Sequence, residues 1–223
     1  VSDMRTQFDF FDQTNVKRLI TDIREAKNNL SFICFVGAGV SIAQGYPDWK
    51  TYVDHLVNYW IYHLNDLKNQ DEINISSTLS DVDFLKSLSD SNYSLKRKTD
   101  IVQYLIKKIC GKSSNVSNDI YNKYVLDFER YIFTELTPSN PVNLILDELV
   151  KLRPIFITTN YDKQIEISFE KYNNFEPKIY SKLGDINTYI HTDSILHLHG
   201  IPTNKVDDFI NSSKTYAKMY YNN

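Results

Sequence analysis

The residues best suited to chemistry stand directly after short apolar runs. His199 follows Ile195-Leu196-His197-Leu198 and precedes Gly200. An imidazole titrates near neutrality, so at this position it can take a proton from a water or from a hydroxyl of a bound molecule. Asn160 and Asp162 lie in Thr158-Thr159-Asn160-Tyr161-Asp162, which ends the run Ile155-Phe156-Ile157-Thr158. A carboxamide offers both a donor and an acceptor, which suits it to orienting a hydroxyl or a water. Gly37-Ala38-Gly39-Val40-Ser41 ends the run Phe32-Ile33-Cys34-Phe35-Val36. Small residues there let a phosphate approach backbone amides, and Ser41 adds a hydroxyl donor near a helix start. The turn begins like a dinucleotide-binding fingerprint, but its third small residue falls on Ile42, with Ala43 one place late.

Each of these residues also has an ordinary structural use. Glycines make tight turns, Asn and Asp after a strand cap the next helix, and a histidine can close a strand inside a core. His197 stands two residues before His199 and shares its face if the strand is regular, so spacing does not separate the two, although position at the strand's end favours His199. Gly45-Tyr46-Pro47-Asp48-Trp49 reads either as a turn into a helix, with Trp49 buried, or as a flap over a ligand. Lys96-Arg97-Lys98 and Lys107-Lys108 read as solvated faces, and His55 and His63 as packing or surface residues.

The elements that must position these groups follow from periodicity. Apolar runs bounded by glycine or polar residues predict three parallel strands, the first of them central and buried on both faces. Helical spacing predicts a surface-packed amphipathic helix over Thr14 to Asn29, with Thr14 as its cap, and further helices over Trp49 to Leu64 and Thr99 to Cys110. Asn140-Pro141 predicts a cap and first helical residue leading into Val142 to Leu152, and another helix is expected from Lys163 to Tyr172. No strand is legible between residues 65 and 137, which reads as an inserted helical module. The expected fold is therefore α/β, a parallel sheet with flanking helices and that insertion within one domain over residues 1–223. In an open parallel sheet ligands bind at the carboxyl ends of the strands, so the three polar segments are expected to share one cleft.

Composition bounds the function. The 223 residues can bury a full core, and a formal net charge of -3 gives no general attraction to a phosphate backbone, so nucleic acid is not an expected partner. Two cysteines, Cys34 and Cys110, make neither a disulfide framework nor a four-cysteine zinc site, which fits a reducing cytoplasm. No apolar stretch is long enough to span a bilayer, so no membrane partner is expected. The chain opens on Val1 and stops in a polar tail, and is expected to be part of a longer polypeptide.

Taken together and in order, Gly37-Ala38-Gly39-Val40-Ser41, Gly45-Tyr46-Pro47-Asp48-Trp49, Thr158-Thr159-Asn160-Tyr161-Asp162 and Leu198-His199-Gly200 resemble the motifs of sirtuin-like domains, most closely the NAD⁺ hydrolases of bacterial anti-phage systems. The resemblance runs from about Leu30 to Tyr221, loosely across the insertion. It implies a Rossmann-like fold, NAD⁺ as substrate, no metal, and activation by phage infection within a homo-oligomer or with a partner defence protein, ending in NAD⁺ depletion and abortive infection. It implies that Gly37, Ala38, Gly39 and Ser41 hold the phosphates and ribose, and that Pro47, Asp48 and Trp49 flank the nicotinamide. It further implies that Thr159 belongs to the binding loop, that Asn160 orients ribose and water with Asp162 supporting the loop, and that His199 is the base with Gly200 leaving room beside it.

The departures narrow the activity. Protein-deacylating sirtuins carry four zinc cysteines, an arginine where Lys50 stands and a glutamine where Thr159 stands; none is present here. Ile201 replaces a residue often polar in the family, and the family's closing strand and helix are missing after Asn223. The expected reaction is dissociative cleavage of the nicotinamide–ribose bond. Its leaving group is already cationic, so the protein mainly has to position the ribose and stabilise the transition state. The alternative is a module that senses NAD⁺ or a related nucleotide without cleaving it; a hydride-transfer dehydrogenase would want a fuller glycine fingerprint.

Overall fold

The computed structural model describes residues 13–69, 79–111, 118–135, 142–173, 175–181, 190–201, 210 and 212–221. Four short strands, β1 (Ile33–Val36), β2 (Ile155–Thr158), β3 (Lys178–Tyr180) and β4 (Ser194–His197), form one sheet in the order β1-β2-β4-β3. Every pairing is parallel, and the registers set Val36 beside Thr158 and Thr158 beside His197. The carboxyl ends of β1, β2 and β4 therefore lie side by side, and the polar segments that follow them emerge together.

Around the sheet run α1 (Thr14–Asn28), the single turn α2 (Gly39–Ile42), α3 (Trp49–Asn69), α4 (Leu79–Ser87), α5 (Leu95–Gly111) and α6 (Asn118–Arg130). A π-helical turn (Tyr131–Glu135) continues α6, and α7 (Leu144–Lys151), α8 (Gln164–Tyr172) and α9 (Ser213–Tyr221) complete the described helices. The fold is mixed α/β, a four-stranded parallel sheet flanked by helices. Among the described residues no helix is long and apolar enough to cross a membrane.

Two apolar clusters hold these elements. One face of the sheet presents Val36, Phe156 and Ile195 to Leu146 and Val150 of α7 and to Ile165 and Phe169 of α8. Fully burying a side chain such as Phe156 stabilises the fold by roughly 1.5–3 kcal/mol. The larger cluster joins α3 to α6 and the π-helical turn around Tyr52, Trp60, Leu85, Ile106 and Phe128, and it also takes in Tyr46 and Tyr161 from the loops at the sheet's end. Those two tyrosines tie the helical layer to the strand ends.

At the opposite end of the sheet, Arg153 and Asp193 precede β2 and β4. Both adopt left-handed backbone angles, φ 55° and 66°, which non-glycine residues rarely do. Their side chains form a two-pronged ion pair, Arg153 Nε donating to Asp193 Oδ1 at 2.9 Å and Nη2 to Oδ2. Lys178 N–H also donates to the Asp193 carbonyl at 3.0 Å, fixing the start of β3.

Several sequence expectations need correction. β1 is an edge strand rather than the central one, with Ile33 and Phe35 exposed at 55% and 64%. A continuous apolar run reports that neither face is polar; it does not report how many neighbours the strand has. α1 begins at Thr14 after Gln13, without a side-chain cap, and buries no residue. The helix expected from Val142 begins at Leu144, because the Asn143 side chain accepts from Leu146 N–H at 3.1 Å and makes Asn143 the cap; Asn140 and Pro141 lie outside the described residues. β3 was not expected, since three residues between Pro177 and Ser181 carry too little periodicity to register. Lys98 is not on a solvated face: it is buried, and its Nζ donates to the Ser89 carbonyl at 2.8 Å.

Candidate functional site

A cavity of about 360 Å³ opens where the ends of β1, β2 and β4 meet α3, the π-helical turn and α9. This is the position expected for a ligand site in a parallel sheet, and the size suits a small-molecule site. Ala38 and Ser41 form one wall, Tyr46 to Trp49 with Tyr52 a second, Thr159 to Asp162 a third, and His199, Phe133 and Tyr216 the remainder. The structure thus brings Ala38, Ser41, Pro47, Asp48, Trp49, Thr159, Asn160, Asp162 and His199 around one space. Gly37, Gly39 and Gly200 do not line it. A Cβ at Gly37 or Gly39 would meet nothing within 4 Å, so packing does not demand glycine at either position. Gly200 has φ 80°, and its N–H donates to the His197 carbonyl at 3.1 Å, so its use is to turn the chain after His199.

The Gly45 to Trp49 segment is both a turn and a wall. Gly45 takes φ 97°, and Asp48 Oδ1 accepts from Thr51 N–H at 2.7 Å, capping α3. That amide, helped by the Thr51 side chain, holds the Asp48 carboxyl below the usual carboxylate range. Trp49 is not buried as one reading had it; it is 36% exposed and stacks on Tyr52 with centroids 5.1 Å apart.

Asn160 is the most constrained residue of the site. Its N–H donates to Thr158 Oγ1 at 3.0 Å, and that hydroxyl donates to the Val36 carbonyl at 2.9 Å. Its Nδ2 donates to the Gly37 carbonyl at 3.2 Å and to Ser41 Oγ at 3.1 Å. A carbonyl only accepts, so the amide orientation is set, and Oδ1 is left buried without a hydrogen-bond partner among the described residues. An acceptor in that state costs about 1–3 kcal/mol until something donates to it.

Asp162 is buried beside it, with Oδ1 accepting from Gln164 N–H at 3.0 Å. Burial pushes its carboxyl up, against the lowering effect of the Gln164 amide and the Ser41 hydroxyl. Behind it a chain of amides ties the β1 turn to α7 and α8. Asn143 Nδ2 donates to Gln44 Oε1 at 2.8 Å, Gln44 Nε2 to Gln164 Oε1 at 2.9 Å, and Gln164 Nε2 to the Tyr46 hydroxyl at 2.8 Å. These side chains are buried, so the network fixes the turn at a place where a one-residue slip would strand several polar groups.

The two histidines separate cleanly. β4 ends at His197, and His199 sits two residues on, in a turn, so the face-sharing expected of a regular strand does not apply. His199 lines the cavity, 5.1 Å from the ring of Tyr216 in an edge-on contact. Burial holds its imidazole below the ordinary value, partly offset by the hydrogen bond to the Thr159 carbonyl. That bond takes one ring N–H, so the neutral imidazole keeps its other nitrogen as an acceptor. His197 is fully buried, and its Nδ1 lies 3.0 Å from the carbonyl oxygen of the lining residue Asn160.

Tyr52, Phe133, Tyr161 and Tyr216 also line the cavity, and periodicity alone does not single them out. Tyr216 reaches it because Ser213, at the start of α9, donates from N and Oγ to Asp100 of α5 at 2.8 and 2.6 Å. Among the described residues no group of three or more His, Cys, Asp and Glu is arranged to hold a metal ion. No model of a known protein family matches the chain, and no curated protein matches it.

Proposed function

We propose that this chain is a Rossmann-like, sirtuin-like NAD⁺ glycohydrolase domain that binds NAD⁺ in the cavity and cleaves the nicotinamide–ribose bond. One observation carries the reading: a histidine held below its ordinary value and a rigid asparagine whose buried oxygen has no partner among the described residues line the same cavity at the strand ends. A ribose hydroxyl would satisfy Asn160 Oδ1. Nicotinamide would leave with the electron pair of the C1′–N bond as the ribose gains oxocarbenium character. Water would then add to C1′, and His199 would take the proton released, giving ADP-ribose and free nicotinamide.

The aromatic wall of Trp49, Tyr52 and Phe133 supports a flat nicotinamide ring. The motif resemblance extends the proposal to NAD⁺ depletion in anti-phage defence, within a homo-oligomer or with a partner defence protein and a phage-derived activator.

The test is nicotinamide release from NAD⁺ by the native protein, with Asn160→Ala and His199→Ala alongside. Release lost in both folded variants supports the hydrolase. Tight NAD⁺ binding without turnover, even with an activator present, would replace it with the sensing module.

A further inference from the structure

Behind the cavity lies an ionisable pair that the proposed reaction leaves unused. Nδ1 of His197 is 3.0 Å from the Asn160 carbonyl oxygen, and Nε2 is 2.9 Å from Glu166 Oε1 on α8. The carbonyl can only accept, so Nδ1 carries a proton, and Nε2 shares a proton with Glu166 Oε1. Both side chains are out of water, and Glu166 Oε2 is buried with no hydrogen-bond partner among the described residues. Nε2 of His197 is thus the hydrogen-bond partner that this side chain has at Oε1.

The arrangement completes the constraint on Asn160. Its N–H is held by Thr158, its side-chain Nδ2 by Gly37 and Ser41, and its carbonyl by His197. Oδ1 is the one polar atom of Asn160 without a partner among the described residues. We infer that His197 and Glu166 form a positioning pair that aims the Asn160 carboxamide into the cavity through its backbone carbonyl, without touching the substrate. The pair also supplies a pH limit. Burial pulls the His197 imidazole down, but the Glu166 hydrogen bond and charge, the Asn160 carbonyl and Asp162 outweigh it and hold the group above its ordinary value. Glu166 from α8 and Asp162 from the loop after β2 are the ionisable groups that act on it. Activity should fall on the alkaline side as His197 loses its second proton, and on the acid side as His199 gains one.

The activity arm of this inference rests on the NAD⁺ reading; its spectroscopic arm does not. In ¹⁵N-histidine-labelled native protein at pH 7, two-bond nitrogen–proton spectra should show both nitrogens of His197 protonated and only one of His199. A neutral His197 overturns the inference, whatever the protein does to NAD⁺. In the second arm, Glu166→Gln should lower kcat about 10- to 100-fold, the scale expected when a reacting group is misplaced by about an ångström, with KM little changed. Its alkaline limb should move to lower pH. An alkaline limb that superimposes on the native one overturns the inference, because a merely structural role would alter the melting temperature alone. Should the native protein release no nicotinamide, the NAD⁺ reading fails and the spectra still decide the state of His197.

Discussion

His197 and His199 are two residues apart, yet the regions around them behave as different solvents. On the α8 side of the sheet, His197 has no exposure and sits between a carbonyl and a carboxyl group, so its imidazole is held above the ordinary value. On the cavity side, His199 is half-buried among Tyr161, Tyr216 and the Thr159 carbonyl, with no acid against its ring among the described residues, so its imidazole is held below the ordinary value. The same side chain thus has its protonation favoured in one place and disfavoured in the other. The difference comes from where β4 stops: the strand puts His197 into the layer between sheet and helix, and the turn that follows releases His199 into the cleft.

The sharpest way to break this comparison is to exchange what each histidine loses. His199→Ala should reduce nicotinamide release by about 10²- to 10⁴-fold, the usual worth of a general base, while leaving the urea midpoint near the native one. His197→Ala should instead destabilise the fold by about 3–5 kcal/mol in urea titrations, because it strands the Glu166 carboxylate in the interior. Comparable stability losses in both variants would erase the distinction.

The pH dependence of stability sharpens it further, because the two shifts have opposite signs. The unfolded value of either histidine is about 6.5. His197 is raised on folding, so its contribution is complete below that value and is lost as pH rises through the folded one. His199 is lowered on folding, so its contribution is present above about 6.5 and is lost as pH falls through its folded value. His197→Gln should flatten the alkaline side of the curve of unfolding free energy against pH, and His199→Gln the acid side. Flattening on the same side in both would contradict the two environments.

Smaller effects are expected at the cavity mouth. Tyr216→Leu removes the edge-on contact with His199, a kind of contact worth about 0.5–1.5 kcal/mol, and should raise KM for NAD⁺ roughly 2- to 12-fold. Asp100→Ala frees the start of α9 without touching the cavity, so its effect on KM should have the same direction and be smaller than that of Tyr216→Leu.

The sequence exposed the parts of the site that sit at strand ends. Apolar runs ending at Val36, Thr158 and Leu198 located the turns, and the parallel sheet brings Ser41, Asn160 and His199 together, as the carboxyl-end rule requires. Two strand ends, Val36 and Thr158, fall on the observed residue, and the third, at Leu198, is one residue too long, which is why spacing does not separate His197 from His199. The supporting groups were hidden for a different reason. Gln44, Asn143, Gln164 and Glu166 contact one another or the site across large separations, and polar residues in a helical pattern look solvated until packing covers them. The place of β1 at the sheet's edge was illegible on the same grounds, because neighbours are a property of the sheet and not of the run.

The Arg153–Asp193 pair, at the far end of β2 and β4, can be considered as a register lock. Strands advance about 3.3 Å per residue, so it acts roughly 16 Å from Thr158. Side chains alternate along a strand, and a slip of one residue between β2 and β4 would send His197 to the opposite face and leave both Glu166 and the Asn160 carbonyl without it. Two left-handed residues joined by their own ion pair oppose that slip, so a contact at the silent end of the sheet supports the register that seals one imidazole inside and turns the other toward the cavity.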